Sequence, residues 1–535
     1  MISKFRIPFA IIILTIGIVL GTQIERVFSD DNLHESIVKF SDALTDVQRN
    51  YVEQIDTPKL VEAAINGMLS KLDPHSVYIP ASQMESVDES FRGDFEGIGI
   101  EFQIVDDTIV VVSPITGGPS EALGIKSGDR IVKIDGKDAT GISNEQVKEK
   151  LRGKAGTKVN VTIYRYGFSK LLNYEITRDK IPLYSVDTHF MLDDKTGYIS
   201  LSRFSETTYE EVSKALNDLK NEGMKQLIFD LRGNPGGLLS QAVQVADIFI
   251  SGDKKIVYTK GRKPEFDDEF DASKPSAFEK IPLIILVNNG SASASEIVSG
   301  AVQDWDRGLI VGETTFGKGL VQRQFNLPDN SAIRLTISRY YTPSGRLIQR
   351  DYKDLKSKEE YYKDVGGKNE NEGDNLYHTA ERDSSLPVYK TNSGRIVYGG
   401  GGITPDYIVK ADPITDYTTN LLKNNIFYQY ILSYLDNNEK SIEAKYKTLD
   451  EFRSYFNFSE KDIKDFINFA GKKNVEFNEV DFKKDKDYIT TRLKAQIARN
   501  FWKNKGWYEV ILSTDNQLLK ANTLFNEAKD LANLK

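Results

Sequence analysis

Two short stretches of the 535-residue chain hold residue types whose spacing could support chemistry. The first, NNGSASASEIVSG (288–300), sets Ser291, Ser293 and Ser295 just ahead of an apolar run. The second, VGETTFGKGLVQ (311–322), reads G-x-x-x-x-G-K from Gly312 to Lys318. That covers seven of the eight positions of a phosphate-binding loop. The eighth should be Ser or Thr to ligate Mg²⁺, and here it is Gly319. Lys318 is therefore a phosphate ligand, a lysine beside a turn, or a general base.

Ser293 followed three residues later by Glu296 matches a capping box, in which the two side chains close a helix amino end. The same place suits a nucleophile. A helix amino end stabilises a developing oxyanion, and flanking alanines leave room for a substrate. The two roles are compatible, with Glu296 ordering the turn while Ser293 attacks. A serine hydroxyl needs a base, and none of His34, His75, His189 and His378 falls within these stretches. A lysine can take the part if burial keeps its amine neutral. Lys318 is flanked by Gly317 and Gly319 rather than by charges. The strand-like GLIVGE before it leads to a second strand-like run, LVQRQFNLP, not to the helix that a phosphate loop requires.

The elements that must position these residues alternate in type between about 196 and 345. TGYISLS, KQLIFDLRG, IPLIILVNN and GLIVGE read as strands, the middle two as buried apolar runs. Between them SETTYEEVSKALNDLKNEG puts Tyr209, Val212, Leu216 and Leu219 on one helical face and ends at Gly223. LLSQAVQVADIFI and SASEIVSGAVQD are further helices. This alternation indicates a layered α/β domain. In such a domain sites form where strands end and helices begin, so DLRGNPGG (230–237) and the serine stretch are expected to be neighbours.

Upstream, residues from about 33 to 80 look helical, with Val38, Leu44, Val47 and Tyr51 near helical spacing and Pro58 opening a second helix. The next 70 residues have short β-branched strands, glycine turns and one amphipathic helix, SNEQVKEKLRG. With ALGIKSGDRIVKIDGK they resemble a PDZ domain. That resemblance puts Gly97, Ile98, Gly99 and Ile100 at the carboxylate-binding loop. There small residues leave backbone N–H groups free for a peptide's terminal carboxylate, and the peptide adds as a strand to the sheet edge.

The serine and lysine stretches together resemble the catalytic core of the carboxyl-terminal processing (tail-specific) proteases, in which a PDZ domain precedes a Ser-Lys protease domain. The similarity runs from about 33 to 406 and includes LDPHSVYI, DLRGNPGG, TPSGRLIQ and VYGGGGITPD. It implies Ser293 as nucleophile, Lys318 as base and Gln322 as the group that orients the lysine amine. Backbone N–H groups of Gly236 and Ala294 would form the oxyanion hole, with Gly237 as the competitor to Gly236. Glu296, Asp304 and Thr315 match supporting positions. His75 reads as a structural contact. The implied fold is a crotonase/ClpP-like layered α/β protease domain with an inserted PDZ domain and helical terminal regions.

Composition sets outer limits. With 39% hydrophobic and 28% charged residues the chain is globular, and a net charge of −8 gives no pull toward nucleic acid. No cysteine is present, which excludes disulfides, thiolate metal sites and a Cys nucleophile. No His/Asp/Glu cluster has metal-ligand spacing and no cofactor is expected. Lys4 and Arg6 precede an apolar run, 7–24, long enough to cross a bilayer. It reads as an uncleaved inner-membrane anchor with the rest of the chain in the periplasm. A cleaved signal peptide is the rival, though GTQIER offers no clear A-x-A site. Abundant Lys, Asn, Ile, Phe and Tyr suggests an AT-rich bacterial genome.

The expected organisation is an anchor at 1–27, a helical region at 28–84, a PDZ domain at 85–178, a protease domain at 179–410 with a polar excursion at 351–395, and a helical region at 411–535. The expected activity is cleavage of polypeptides with exposed apolar carboxyl termini. A second copy of the chain or an adaptor protein stays open as a further partner. Two other classes stay open as well. One is a non-catalytic PDZ adaptor, against which the set Ser293, Lys318 and Gln322 argues. The other is a small-ester or amide hydrolase, against which the PDZ domain argues.

Overall fold

A computed structural model describes residues 31–352, 358–363 and 386–534. The apolar run at 7–24 and most of the polar excursion lie outside the described residues. Among the described residues no helix is long and apolar enough to cross a membrane. The chain divides into two units at Leu72. The first consists of helices Asp31–Asn50 and Thr57–Leu69, the latter opened by the Asp56 side chain, which accepts from Lys59 N, and by Pro58 in its first turn. The stretch expected to be helical to about 80 is helical only as far as Leu69. In the second unit Val77–Ile79, a run rich in β-branched and aromatic residues, forms a strand paired with Ala332–Tyr341.

The centre of the second unit is a six-stranded sheet in the order Val186–Met191, Thr196–Leu201, Gln226–Asp230, Leu283–Val287, Leu309–Gly312 and Tyr407–Ile408. All neighbours are parallel except the first pair. Strands Gln226–Asp230, Leu283–Val287 and Leu309–Gly312 are buried at every residue, because helices cover both faces. One face packs against helices Thr208–Asn221, Leu239–Asp247 and Ala294–Asp304. The other is closed by Leu512 and by helices Asn516–Asn522 and Phe525–Leu531, where Leu518, Phe525 and the intervening Leu524 meet Ile228, Leu286 and Val311. The end of the carboxyl-terminal region is thus a layer of the α/β domain.

A second, antiparallel sheet lies beside it. Ala332–Tyr341 pairs with Val77–Ile79, Leu320–Asn326 and Lys255–Gly261, and the last of these pairs with Glu269–Asp271. Strands Asp94–Gly97 and Asp179–Pro182 form a two-stranded stalk. The stalk leads to a compact body with strands Ile100–Val105, Thr108–Pro114, Arg130–Ile134, Lys158–Tyr164 and Leu172–Thr177. Helix Asn144–Leu151 closes that body's core through Val147 and Leu151, and Ser143 and Gln146 cap it reciprocally. Residues 416–511 form a helical bundle with its own aromatic-rich core, including Phe427, Phe452 and Phe466. Its last helix, Lys486–Ile511, is broken at Trp502 and Lys503, the latter at φ 54°.

Candidate active site

The three serines of the first stretch have different fates. Ser291 and Ser295 are buried and donate their hydroxyls to backbone carbonyls, Ser291 Oγ to Leu231 O at 2.8 Å and Ser295 Oγ to Asn234 O at 2.9 Å. Both acceptors belong to the 230–237 segment, so the expected neighbourhood of the two stretches is present. Ser293 is half-buried, at the amino end of helix Ala294–Asp304. Its backbone has φ 53° and ψ −110°. That is a strained conformation for a residue with a side chain, and strain of this kind collects at functional sites.

What holds the strained turn is Glu296. Its fully buried carboxylate accepts from Ser293 N at 2.7 Å, Thr315 Oγ1 at 2.5 Å, Gly317 N at 2.7 Å and Lys318 N at 2.9 Å. Three of these donors are backbone N–H groups, so the pocket is built for a carboxylate. Burial pushes its pKa above the ordinary value while the four hydrogen bonds pull it back. Thr315 Oγ1 also accepts from Ile403 N at 2.7 Å, which docks the GGGGITPD segment. Gly317, at φ 83°, is in a conformation that favours glycine and is tightly packed, since a Cβ would lie 3.0 Å from Arg350 Cβ and 3.1 Å from Gly402 N.

Lys318 sits where the chain enters strand Leu320–Asn326, not a helix, so the phosphate-loop geometry is absent. Its Nζ donates to Gln322 Oε1 at 3.1 Å. The Gln322 amide is oriented in turn, because Nε2 donates to His75 O at 3.0 Å and leaves Oε1 facing the lysine. Burial pushes the Lys318 amine below its ordinary pKa and the Arg334 cation adds to the effect, while Glu296 and Asp73 oppose it. Tyr340, buried on the strand that pairs with Leu320–Asn326, donates to Lys318 O at 2.6 Å and reaches Ser293 O at 3.1 Å. The serine and lysine stretches therefore follow and precede strands of different sheets and are joined by Glu296 and Tyr340.

Gly236 packs against the serine. A Cβ there would lie 2.9 Å from Ser293 Cβ and 3.0 Å from Ala294 N. Its N–H, however, donates to Asn234 Oδ1 at 2.9 Å. Gly237 lies against Phe204, where a Cβ would come within 2.0 Å of Phe204 O. Ala294 N is the first amide of the helix and belongs to the group with no intrahelical partner. Asp304 lies away from Ser293, at the far end of the same helix. Its carboxylate pairs with Arg346 at 2.6 Å and accepts from Ser344 N at 2.9 Å, which anchors TPSGR.

His75 is buried, its Nε2 3.2 Å from Tyr361 OH and its Nδ1 3.3 Å from Tyr362 OH. Burial and the cations around it push its pKa down to about 3. Sequence reasoning missed Tyr340, Asn234 and Arg334. For Tyr340 a signal existed in the strand period, which puts it on the same face as the buried Ser338.

In the PDZ-like body Ile98 is buried in the core, while Ile100, Phe102 and Ile104 are partly exposed on edge strand Ile100–Val105. The carbonyl of Ile98 accepts from Ser120 N and Ser120 Oγ, and that of Gly99 accepts from Ile115 N. In trans peptides the following N–H groups, those of Gly99 and Ile100, then point to the opposite side. Gly97 ends the stalk strand, paired with Asp179.

Four family models match the chain. They are peptidase family S41 over 195–354, a PDZ domain over 97–176, the activating protease CtpB N-terminal domain over 22–82, and a family of unknown function over 417–503. A carboxy-terminal-processing protease of Bartonella bacilliformis is 40% identical over 65% of this chain and 81% of its own length. The carboxy-terminal processing protease CtpA of Bacillus subtilis is 39% identical over 58% of this chain and 66% of its own. A solved photosystem II D1 C-terminal processing protease is 31% identical over 57% of this chain and 88% of that one, with a TM-score of 0.33. The chain belongs to the carboxy-terminal-processing proteases, serine-type peptidases of family S41 that carry a PDZ domain.

Proposed function

We propose that this protease cleaves polypeptides by a Ser-Lys dyad, with Ser293 as nucleophile, Lys318 as general base and Gln322 holding the lysine amine in place. The observation that carries the reading is the Glu296 carboxylate, which ties the backbone of Ser293 to that of Lys318. Lys318 Nζ, its pKa lowered by burial, takes the Ser293 Oγ proton as Oγ attacks the scissile carbonyl. The oxyanion is received by Ala294 N–H, and by Gly236 N–H once it leaves Asn234 Oδ1. Lys318 gives the proton to the departing amine. It then takes one from the water that hydrolyses the acyl-enzyme, and Ser293 is regenerated.

The PDZ domain selects the substrate. A carboxyl-terminal tail would place its carboxylate on the N–H groups of Gly99 and Ile100 and extend along Ile100–Val105, with apolar side chains on Ile100 and Phe102. We read the layering of the protease domain as crotonase/ClpP-like, supported by the largely parallel sheet with helices on both faces. The apolar run at 7–24 is read as an inner-membrane anchor that leaves the protease on the periplasmic side, supported by Lys4 and Arg6 ahead of it.

The test uses the chain from residue 28 onward with Ser293→Ala and Lys318→Ala. Each protein is incubated with an unfolded substrate ending in an apolar tail and with the same substrate ending in a charged tail. Loss of cleavage in both variants, with the apolar tail preferred by the unaltered protein, is expected. Full activity of Lys318→Ala would move the base elsewhere.

A further inference from the structure

The bundle at 416–511 has no part in the chemistry above, yet it meets the PDZ domain at many points. Ion pairs cross between them from several bundle helices. Arg130 pairs with Asp436 at 2.8 Å, Asp106 with Lys473 at 2.6 Å, Glu101 with Arg499 at 2.7 Å, and Glu121 with Lys503. Gln103 Oε1 accepts from Asn425 Nδ2 at 2.5 Å, and Tyr166 OH donates to Asn437 Oδ1 at 3.1 Å. At the centre Val110 and Val112 are buried against Tyr428 and Leu432. Apolar contact ringed by charge pairs is the anatomy of a specific interface.

The place of these contacts matters more than their number. Strand Ile100–Val105 turns Ile100, Phe102 and Ile104 toward the PDZ core and its open edge, while Glu101 and Gln103 point to the other side, as strand alternation requires. The bundle thus holds the back of the strand whose front is read as the tail site. It is itself fixed to the protease domain. Tyr508 OH donates to Asp187 Oδ2 at 3.0 Å, and the chain that leaves the bundle is buried against the central sheet at once, through Leu512 and Leu518. Arg232 joins Asp515 at 2.8 Å while also pairing with Asp230 at the end of the strand that leads to Gly236. Between PDZ and protease domains lies a cleft of about 1050 Å³, lined by Ser113 and Thr116 on one side and by Thr188 and His189 on the other. The bundle forms a further wall of it, through Trp502, Lys503 and Tyr508.

We propose that the helical bundle at 416–511 is the holder of the PDZ domain: it grips the outer face of strands Ile100–Val105 and Thr108–Pro114 and fixes the tail-binding strand at a set place relative to Ser293. The proposal rests on the tail-binding reading of the PDZ domain. Its consequence is that tail-directed cleavage depends on the grip, whereas cleavage of a short peptide that never engages the PDZ domain does not.

The Arg130–Asp436 pair is the point to test, since both side chains are mostly buried and neither belongs to the catalytic or tail-binding residues. Arg130→Asp, Asp436→Arg and the double exchange are made in the chain from residue 28 onward. Three quantities are read: amide hydrogen exchange over 100–114, the cleavage ratio of apolar-tailed to charged-tailed substrate, and the rate on a short peptide. Each single variant is expected to exchange about tenfold faster at 100–114 and to lose most of its tail preference. The short-peptide rate stays within about twofold, and the double exchange restores all three. Unchanged exchange and unchanged preference in the single variants would overturn the proposal. So would a short-peptide rate that falls in step with the tail-directed rate, because the bundle would then act on the catalytic site itself. If the unaltered protein cleaves both tails alike while exchange still rises in the single variants, the tail reading fails and the grip stands.

Discussion

Ser293 caps a helix of the central α/β layer and Lys318 leads into a strand of the second sheet, yet their backbone N–H groups converge on one oxygen, Glu296 Oε2, at 2.7 and 2.9 Å. The serine turn and the lysine turn therefore cannot move independently while that carboxylate is in place. A Ser-Lys pair needs such a tie more than a Ser-His pair does, since the lysine stem is long and flexible and its amine lacks the directional ring of histidine.

Replacing Glu296 with Gln keeps the shape but leaves one acceptor oxygen where there were two. At least one buried N–H then faces an NH₂ group, at a cost of about 1–3 kcal/mol. Activity on a peptide substrate is expected to fall on the order of 10- to 100-fold, and the melting temperature to drop. Steady-state rates and thermal unfolding of the same preparation check both. Wild-type activity in Glu296→Gln would show that the tie does not position the dyad.

Tyr340→Phe removes only the hydroxyl that reaches Lys318 O and Ser293 O. The expected result is a fall in kcat of about tenfold with KM unaltered, and a loss of about 1 kcal/mol in stability. A rise in KM with unchanged kcat would place Tyr340 in substrate binding instead.

How much of this was legible in the sequence differs from element to element. The runs LIF, LIILV and LIV announce strands buried on both faces because their apolar pattern has no polar side. Ser143 and Gln146 mark the helix start at Asn144 through local chemistry, and the glycines around Lys318 mark a turn. Val77–Ile79 was not legible as a strand. Its pairing comes from Ala332–Tyr341, more than 250 residues away, and local pattern carries no such information. The same limit hid Arg334 and the contacts of Tyr340, of which the strand period signals only the face. The helices at 516–531 show an apolar face in sequence, but nothing local says that the face belongs to the central sheet rather than to the bundle. Asn234 was missed for another reason: its side chain competes for the N–H of Gly236, an effect of two residues' separation that only the turn's geometry reveals.

Arg334 is the cation that adds to burial in lowering the Lys318 pKa. Its Nη2 is buried without a hydrogen-bond partner among the described residues, its guanidinium lies over the Phe91 ring, and it disfavours the ammonium form of Lys318. Arg334→Met removes that cation, so the Lys318 pKa rises. The acid limb of the pH–rate profile is then expected to move toward higher pH. A limb that stays in place, or moves to lower pH, would contradict this assignment.

His75 gives the fold an acid-sensitive point. Its folded-state pKa, about 3, lies below the ordinary 6.5, so the unfolded chain takes up the proton first. Its contribution to stability is full above about 6.5 and is lost as pH falls toward 3, with a slope of at most about 1.4 kcal/mol per pH unit. Denaturant unfolding between these limits should show a steeper pH dependence in the unaltered protein than in His75→Phe. Equal slopes would mean that the ring is free to charge in the folded state.

The central claim, that Lys318 takes the proton from Ser293, is met most directly by the rate of Ser293 acylation. The burst of product from an activated peptide ester would be followed as a function of pH in the unaltered protein and in Lys318→Ala. The account predicts a burst whose rate rises with pH through an apparent pKa below that of an ordinary lysine, and a Lys318→Ala variant in which that limb is gone and the burst is slower by about 10²-fold or more. The same limb at the same pH in Lys318→Ala would contradict it.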